Sequence, residues 1–133
     1  MTLLKGNLRR MDMIIRKIEN QTAFYYEGNQ CVFSMQEQNN NSNVEILLSG
    51  SLRSEFSRDF EDELRVFALL GLPVYVDCEK LTYLSKSGME VLLTVQHEID
   101  RREKGSLIVR KVPSDIYQEC VNLALVEYLQ FQQ

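Results

Sequence analysis

The residues best placed to do chemistry are Ser85, Lys86 and Ser87, with Gly88 and Met89 directly behind them. Two hydroxyls and a cation follow a short apolar segment, Val74–Cys78, and precede an amphipathic one. Ser87 with Glu90 three residues on has capping-box spacing, so a helix is expected to start at Ser87. A helix start leaves free N–H groups and the positive end of the helix dipole, which suits phosphate or a docking anion. A second cation, Arg53, closes Ser49-Gly-Ser-Leu-Arg53, with Ser51 inside that segment and Ser54 just after it. Such a set supports recognition, or modification of Ser87 or Ser85. The plainer reading also stands: Ser87 as a helix cap, Lys86 and Arg53 as solvated charges.

Catalytic signals are weak. His97, the sole histidine, lies four residues before Arg101 on the polar side of its helix. No Cys, Asp or Glu stands near it at metal-ligand spacing. Asp77 sits in a strand just before the turn and is expected to order that turn. No nucleophile–base pair, glycine-rich phosphate loop or zinc cluster is recognisable. No enzyme activity, metal or cofactor is therefore expected.

Composition narrows the class. The chain has 133 residues, 44% apolar and 26% charged, as in an ordinary globular domain. A net charge of −4 argues against general nucleic-acid binding. No apolar run approaches the ~20 residues of a membrane span, and Met1-Thr-Leu-Leu-Lys5 lacks the apolar stretch of a signal peptide. Cys31, Cys78 and Cys120 are widely spaced and odd in number. They are expected to be buried reduced thiols in a cytoplasmic protein.

The elements that must position these residues follow from periodicity. Leu4, Leu8, Met11, Ile15 and Ile18 make one helical stripe with heptad spacing, so Met1–Asn20 is expected to be helix, although Met13 and Ile15 also alternate like a strand. Thr22–Tyr26 is expected as a short edge strand, Cys31–Glu37 as a strand, Gln38–Asn43 as a hairpin loop, and Val44–Leu48 as a central strand. A helix from about Ser54 to Leu70 carries Phe56, Phe60, Leu64 and Phe67 on its buried side, with Gly71 as a left-handed stop. Val74–Cys78 reads as a buried parallel strand. The helix from Ser87 runs to about Glu103, with Gly88, Leu92, Val95 and Ile99 inward. Ser106–Arg110 is a strand, and Pro113 opens a last helix with Ile116, Cys120, Leu123 and Val126 or Glu127 on one side. Strands alternating with helices imply right-handed crossovers and a mixed, largely parallel sheet of four to five strands with three to four helices.

This order resembles the STAS domain, the fold of bacterial anti-sigma factor antagonists and of sulphate-transporter cytoplasmic tails. Val44-Glu-Ile-Leu-Leu-Ser-Gly-Ser-Leu-Arg53 is similar to the family's strand ending in Leu-Ser-Gly-Glu-Leu-Asp. Val74–Gly88 resembles its apolar strand followed by Asp-Ser-Ser-Gly, and Lys104-Gly-Ser-Leu-Ile-Val109 its glycine-led fourth strand. The resemblance covers residues 31–133 and leaves residues 1–30 as an N-terminal extension, a helix plus a short strand that could also pair two copies of the chain.

The departures carry the functional reading. The resemblance puts Ser85 at the Asp of Asp-Ser-Ser-Gly, Lys86 at the first serine, taken as the phosphorylation switch, and Arg53 at the Asp of the earlier loop. Ser87 and Gly88 match the second Ser and the Gly. Two carboxylate positions lose their charge and two cations appear, which should disfavour the usual kinase docking. The resemblance implies a non-enzymatic regulatory interaction module without the usual serine switch. Its partner would be an anti-sigma factor or serine kinase, meeting Ser51, Arg53, Ser54, Ser85, Lys86, Ser87, Gly88 and Met89. Two further readings are a STAS subunit regulating an ABC-transporter ATPase, and a domain sensing a small anion or nucleotide at the cationic helix start.

Overall fold

The computed structural model describes residues 13–133. Among these residues, seven strands form one sheet: β1 (Ile14–Glu19), β2 (Thr22–Glu27), β3 (Gln30–Asn39), β4 (Val44–Leu52), β5 (Pro73–Leu84), β6 (Ser106–Arg110) and β7 (Gln130–Gln132). Three helices join the last four strands: α1 (Ser57–Leu69), α2 (Lys86–Arg102) and α3 (Ser114–Asn122). Spatial order in the sheet equals sequence order. The pairings β1–β2, β2–β3 and β3–β4 are antiparallel, whereas β4–β5, β5–β6 and β6–β7 are parallel. The fold class is the expected mixed α/β one. The sheet is larger than expected and only half parallel, because the N-terminal strands are joined by tight turns that permit no crossover.

One expected element is of the wrong type. Residues 14–19 form β1, not helix, and the rest of the expected heptad stripe lies outside the described residues. The turn Asn20-Gln21 has positive φ at both positions, 49° and 63°, which matches the right-handed twist of a two-residue hairpin. It pins Glu19 opposite Thr22 and Ile14 opposite Glu27. Ile15 and Ile18 stay exposed, so their spacing reflects no helical core. Thr22–Tyr26 consequently lies inside the sheet between β1 and β3, not at its edge.

The core lies between the sheet and the helices. Successive right-handed crossovers in one direction place the three helices on one side of the sheet. Phe60, Leu64 and Phe67 of α1 and Leu92, Val95 and Ile99 of α2 are buried with Val44, Ile46, Leu48, Val74, Val76, Leu107 and Val109 of the strands. Each such side chain contributes about 1.5–3 kcal/mol through removal from water. Gly71 stops α1 in the left-handed region, φ 75°, as its position after Leu70 suggested. α3 is shorter than the expected stripe. Ala124 turns left-handed at φ 61°, a single 3₁₀ turn follows, and Leu123 is left exposed. The chain then adds β7 alongside β6.

Two strands run further than their apolar runs. β4 continues through Ser49–Leu52 and β5 through Glu79–Leu84, where loops were expected. They pair with each other there, Gly50 with Leu81 and Leu52 with Leu84, and register shifts absorb the polar residues. Asp77 supports this irregularity: its Oδ1 accepts the Glu79 N–H at 2.9 Å. Cys31 is exposed on β3, unlike the buried Cys78 and Cys120. Burial pushes the Cys78 thiol up to about 12.

Candidate functional site

The extended tails of β4 and β5 end side by side, and this sets where α2 begins. The Ser85 N–H donates to the Leu52 carbonyl at 2.9 Å, so Ser85 is still held in extended backbone, φ −70°, ψ 160°. Ser85, not Ser87, is therefore the N-cap. Its Oγ accepts the Gly88 N–H at 3.1 Å, and its carbonyl accepts the Met89 N–H at 3.0 Å. The expected Ser87–Glu90 capping box does not form, because the helix starts earlier, at Lys86.

That shift gives Ser87 a different role. Its Oγ lies 2.7 Å from Ser57 Oγ on α1 and 3.2 Å from Ser85 Oγ. Three hydroxyls thus link the cap of α2 to the first turn of α1. Ser57 and Ser85 are buried, and Ser87 is half-buried. Ser57 was not singled out from the sequence. The signal for it existed: it shares the stripe of Phe60, Leu64 and Phe67 at helical spacing, a polar residue where an apolar one is expected.

Gly88 brings α2 close to the strand ends. A Cβ there would stand 2.9 Å from Leu84 Cδ1 and 3.3 Å from Leu52 Cγ. Met89, expected at the binding surface, is 3% exposed and belongs to the core. Ser51 is half-buried in β4 opposite Tyr83. Ser54 and Lys86 are exposed. His97 is exposed on the outer side of α2, away from this site.

Arg53 is not a free cation. Its guanidinium lies 3.5 Å from Glu27 and 3.4 Å from Glu55, and it covers the Phe56 ring at 5.3 Å from the centroid. Its Nε and Nη2 are buried without hydrogen-bond partners. Phe56 in turn stacks on Phe33, with centroids 5.3 Å apart, and meets Tyr25 at 4.8 Å. The Tyr25 hydroxyl donates to Asp59 at 2.7 Å, and burial together with Asp59 raises its pKa. Arg53 thus ends a packed aromatic column. Arg53, Ser54, Ser85, Lys86 and Ser87 do converge on one shallow depression, but Glu55 and Glu90 line it too. Two cations face two carboxylates, so no cationic surplus collects there.

The cap yields a quantitative expectation. Ser85→Ala should cost about 1 kcal/mol of stability, the usual loss for removing an N-cap hydroxyl. Ser85→Asp, which also accepts from the Gly88 N–H, should keep most of it. Urea unfolding midpoints with unchanged slopes check both, and equal losses in the two variants would show that the cap bond contributes nothing.

Comparisons with known proteins fit this geometry. A family model described as "Mlab, STAS domain" matches residues 35–129. Solved structures align as well. An anti-sigma factor antagonist from Mycobacterium paratuberculosis has a TM-score of 0.63 at 10% identity, over 75% of this chain and 85% of its own. The anti-sigma factor antagonist SpoIIAA in its unphosphorylated form gives 0.63 at 14%, over 74% and 88%. The Bacillus cell fate determinant SpoIIAA in its phosphorylated form gives 0.58 at 15%, over 74% and 91%. No curated protein matches the sequence closely. At these identities the structural likeness establishes the fold.

Proposed function

The chain belongs to the STAS domain family, and on that premise we propose that it is a non-enzymatic bacterial regulatory module that docks a protein partner through the start of α2. The observation that carries this reading is the state of the three serines and Lys86. Each hydroxyl of the Ser57–Ser87–Ser85 chain is bonded to another hydroxyl, and Ser85 also caps the helix. Among the described residues, none of the three has a histidine or carboxylate as hydrogen-bond partner to activate it. Lys86 stands exposed at the first position of α2, where a switch hydroxyl would be reached by a kinase. A fixed cation beside Ser54 and Glu90 suits recognition, and a built-in charge needs no phosphate to alter it.

The finer assignments follow from the same reading. The partner is of the anti-sigma factor or serine kinase type, met without the usual serine switch. The location proposed with such a partner is cytoplasmic. An ABC-transporter ATPase is the second reading, and the replacement of Asp-Ser-Ser-Gly by Ser85-Lys-Ser-Gly88 does not argue against it. Anion sensing is the third reading, and the pairing of Arg53 with Glu27 and Glu55 leaves less of its charge free for an anion.

The test is co-purification of the tagged full chain from its host, compared with Lys86→Glu. A protein partner should be retained by the wild type, and its affinity should fall at least about tenfold in the variant, as for a charge reversal inside an interface. The wild-type chain should carry no phosphate on Ser85 or Ser87 by mass spectrometry. Stoichiometric phosphate on either serine, or binding indifferent to Lys86→Glu, would overturn the reading.

A further inference from the structure

Lys86 borders a second feature, a cleft of about 430 Å³ between the start of α2 and α3. Its apolar surfaces come from Leu84, Met89 and Ile116, which are buried, and from Tyr83 and Leu123, which are 51% and 40% exposed. Large side chains left that open beside a concavity mark a surface still to be covered. The charged groups on its walls are Lys86 on one side and Asp115 and Glu119 on α3. None of the three has an ion-pair partner among the described residues. Asp115 suits the first turn of α3 by opposing its dipole. Glu119, one turn further on, has no such use, yet it stands exposed next to the apolar cleft.

Resting on the docking role argued above, we propose that this cleft is the partner's anchor site. It takes a polypeptide segment with a bulky apolar side chain seated between Tyr83 and Leu123, and a lysine or arginine within one helical turn that pairs with Glu119 and Asp115. The two carboxylates against one lysine set the sign of the occupant. An acidic segment would meet a net negative wall, and an uncharged one would leave the carboxylates partly desolvated without a partner. Anchors of this kind carry most of the affinity of an interface, with the rim charges fixing orientation.

The probe is a phage-displayed library of random twelve-residue peptides, selected on the immobilised full chain. The expected result is a consensus of one aromatic or long aliphatic residue with a basic residue up to four positions away. Glu119→Lys should weaken the selected peptides by about tenfold, and reselection on that variant should replace the basic position by an acidic one. Leu123→Ser should weaken both sets. Both positions are exposed, so the variants should keep the wild-type unfolding midpoint, which is measured alongside. An acidic consensus on the wild type, no consensus, or binding unmoved by both variants would overturn the proposal. The native partner separates this from the wider reading. Co-purification lost in Lys86→Glu but unchanged in Glu119→Lys and Leu123→Ser removes the cleft and leaves the docking role. Cleft-dependent peptides with no native protein partner leave the cleft and remove the role.

Discussion

Gly50→Ala is expected to cost about 3 kcal/mol of stability, from left-handed strain and a backbone collision together. Gly50 lies in β4 at φ 88°, where β3 passes close by. A Cβ there would run into the Val32 carbonyl oxygen and stand 3.1 Å from the Val32 carbonyl carbon. Both atoms are backbone, held between Cys31 and Phe33, which pair with β2, so they cannot swing aside as a flexible side chain would, although Val32 itself is the bulge residue with no partner in either register. Gly28→Ala is the control: its φ is also positive, 64°, but its Cβ would meet nothing within 4 Å. That variant should lose only about 1–2 kcal/mol, the left-handed cost alone. Urea denaturation of both reads the difference as separate midpoints. Equal midpoints would mean that β3 shifts freely and that the close approach is not a constraint.

Phe56→Ala is expected to cost about 3–5 kcal/mol, as for other fully buried aromatic truncations. Phe56 is 1% exposed, stacks on Phe33, touches Tyr25 and carries the Arg53 guanidinium on its outer face. Its loss would empty the middle of the aromatic column and leave Arg53 held only by Glu27 and Glu55. Those two pairs are partly solvated and hold a long side chain weakly. Phe56→Leu should restore most of the stability by filling the space. Thermal and urea unfolding measure both. A loss below about 1.5 kcal/mol for the alanine variant, within the range of volume-conserving swaps, would show that the column is not the support it is described to be.

These positions show what could be read from the sequence. The helix stripes were legible because Phe56–Phe67 and Gly88–Ile99 repeat at helical spacing over several turns, and a left-handed stop at Gly71 follows from glycine's lack of a Cβ. The STAS-like order of strands and helices was legible for the same reason. The polar tails of β4 and β5 were not. Their strand character comes from pairing with each other, and the register shifts around Ser49 and Gly50 interrupt the alternation that marks a strand. The cap was misplaced by two residues because Ser85 and Ser87 are equally competent caps. The Ser85–Leu52 backbone bond, a non-local contact, decides between them. The same limit applies to Arg53. Its neutralising partner Glu27 comes from β2, and no local pattern announces it. β1 was misread because two isoleucines, Ile15 and Ile18, happened to continue a heptad spacing, while the hairpin at Asn20-Gln21 lacks the glycine that usually signals such a turn.

The order of strands in the sheet has a kinetic consequence. Each strand lies next to its neighbours in the chain, so every pairing closes over one tight turn or one crossover helix. No strand has to wait for a segment made much later, and the closure entropy met at each step stays small. During synthesis, the hairpins from β1 to β4 can form before α1 has emerged. Each later strand then finds an open edge left by the one before it. Folding can therefore keep pace with translation and advance in the same direction, from the amino to the carboxyl end.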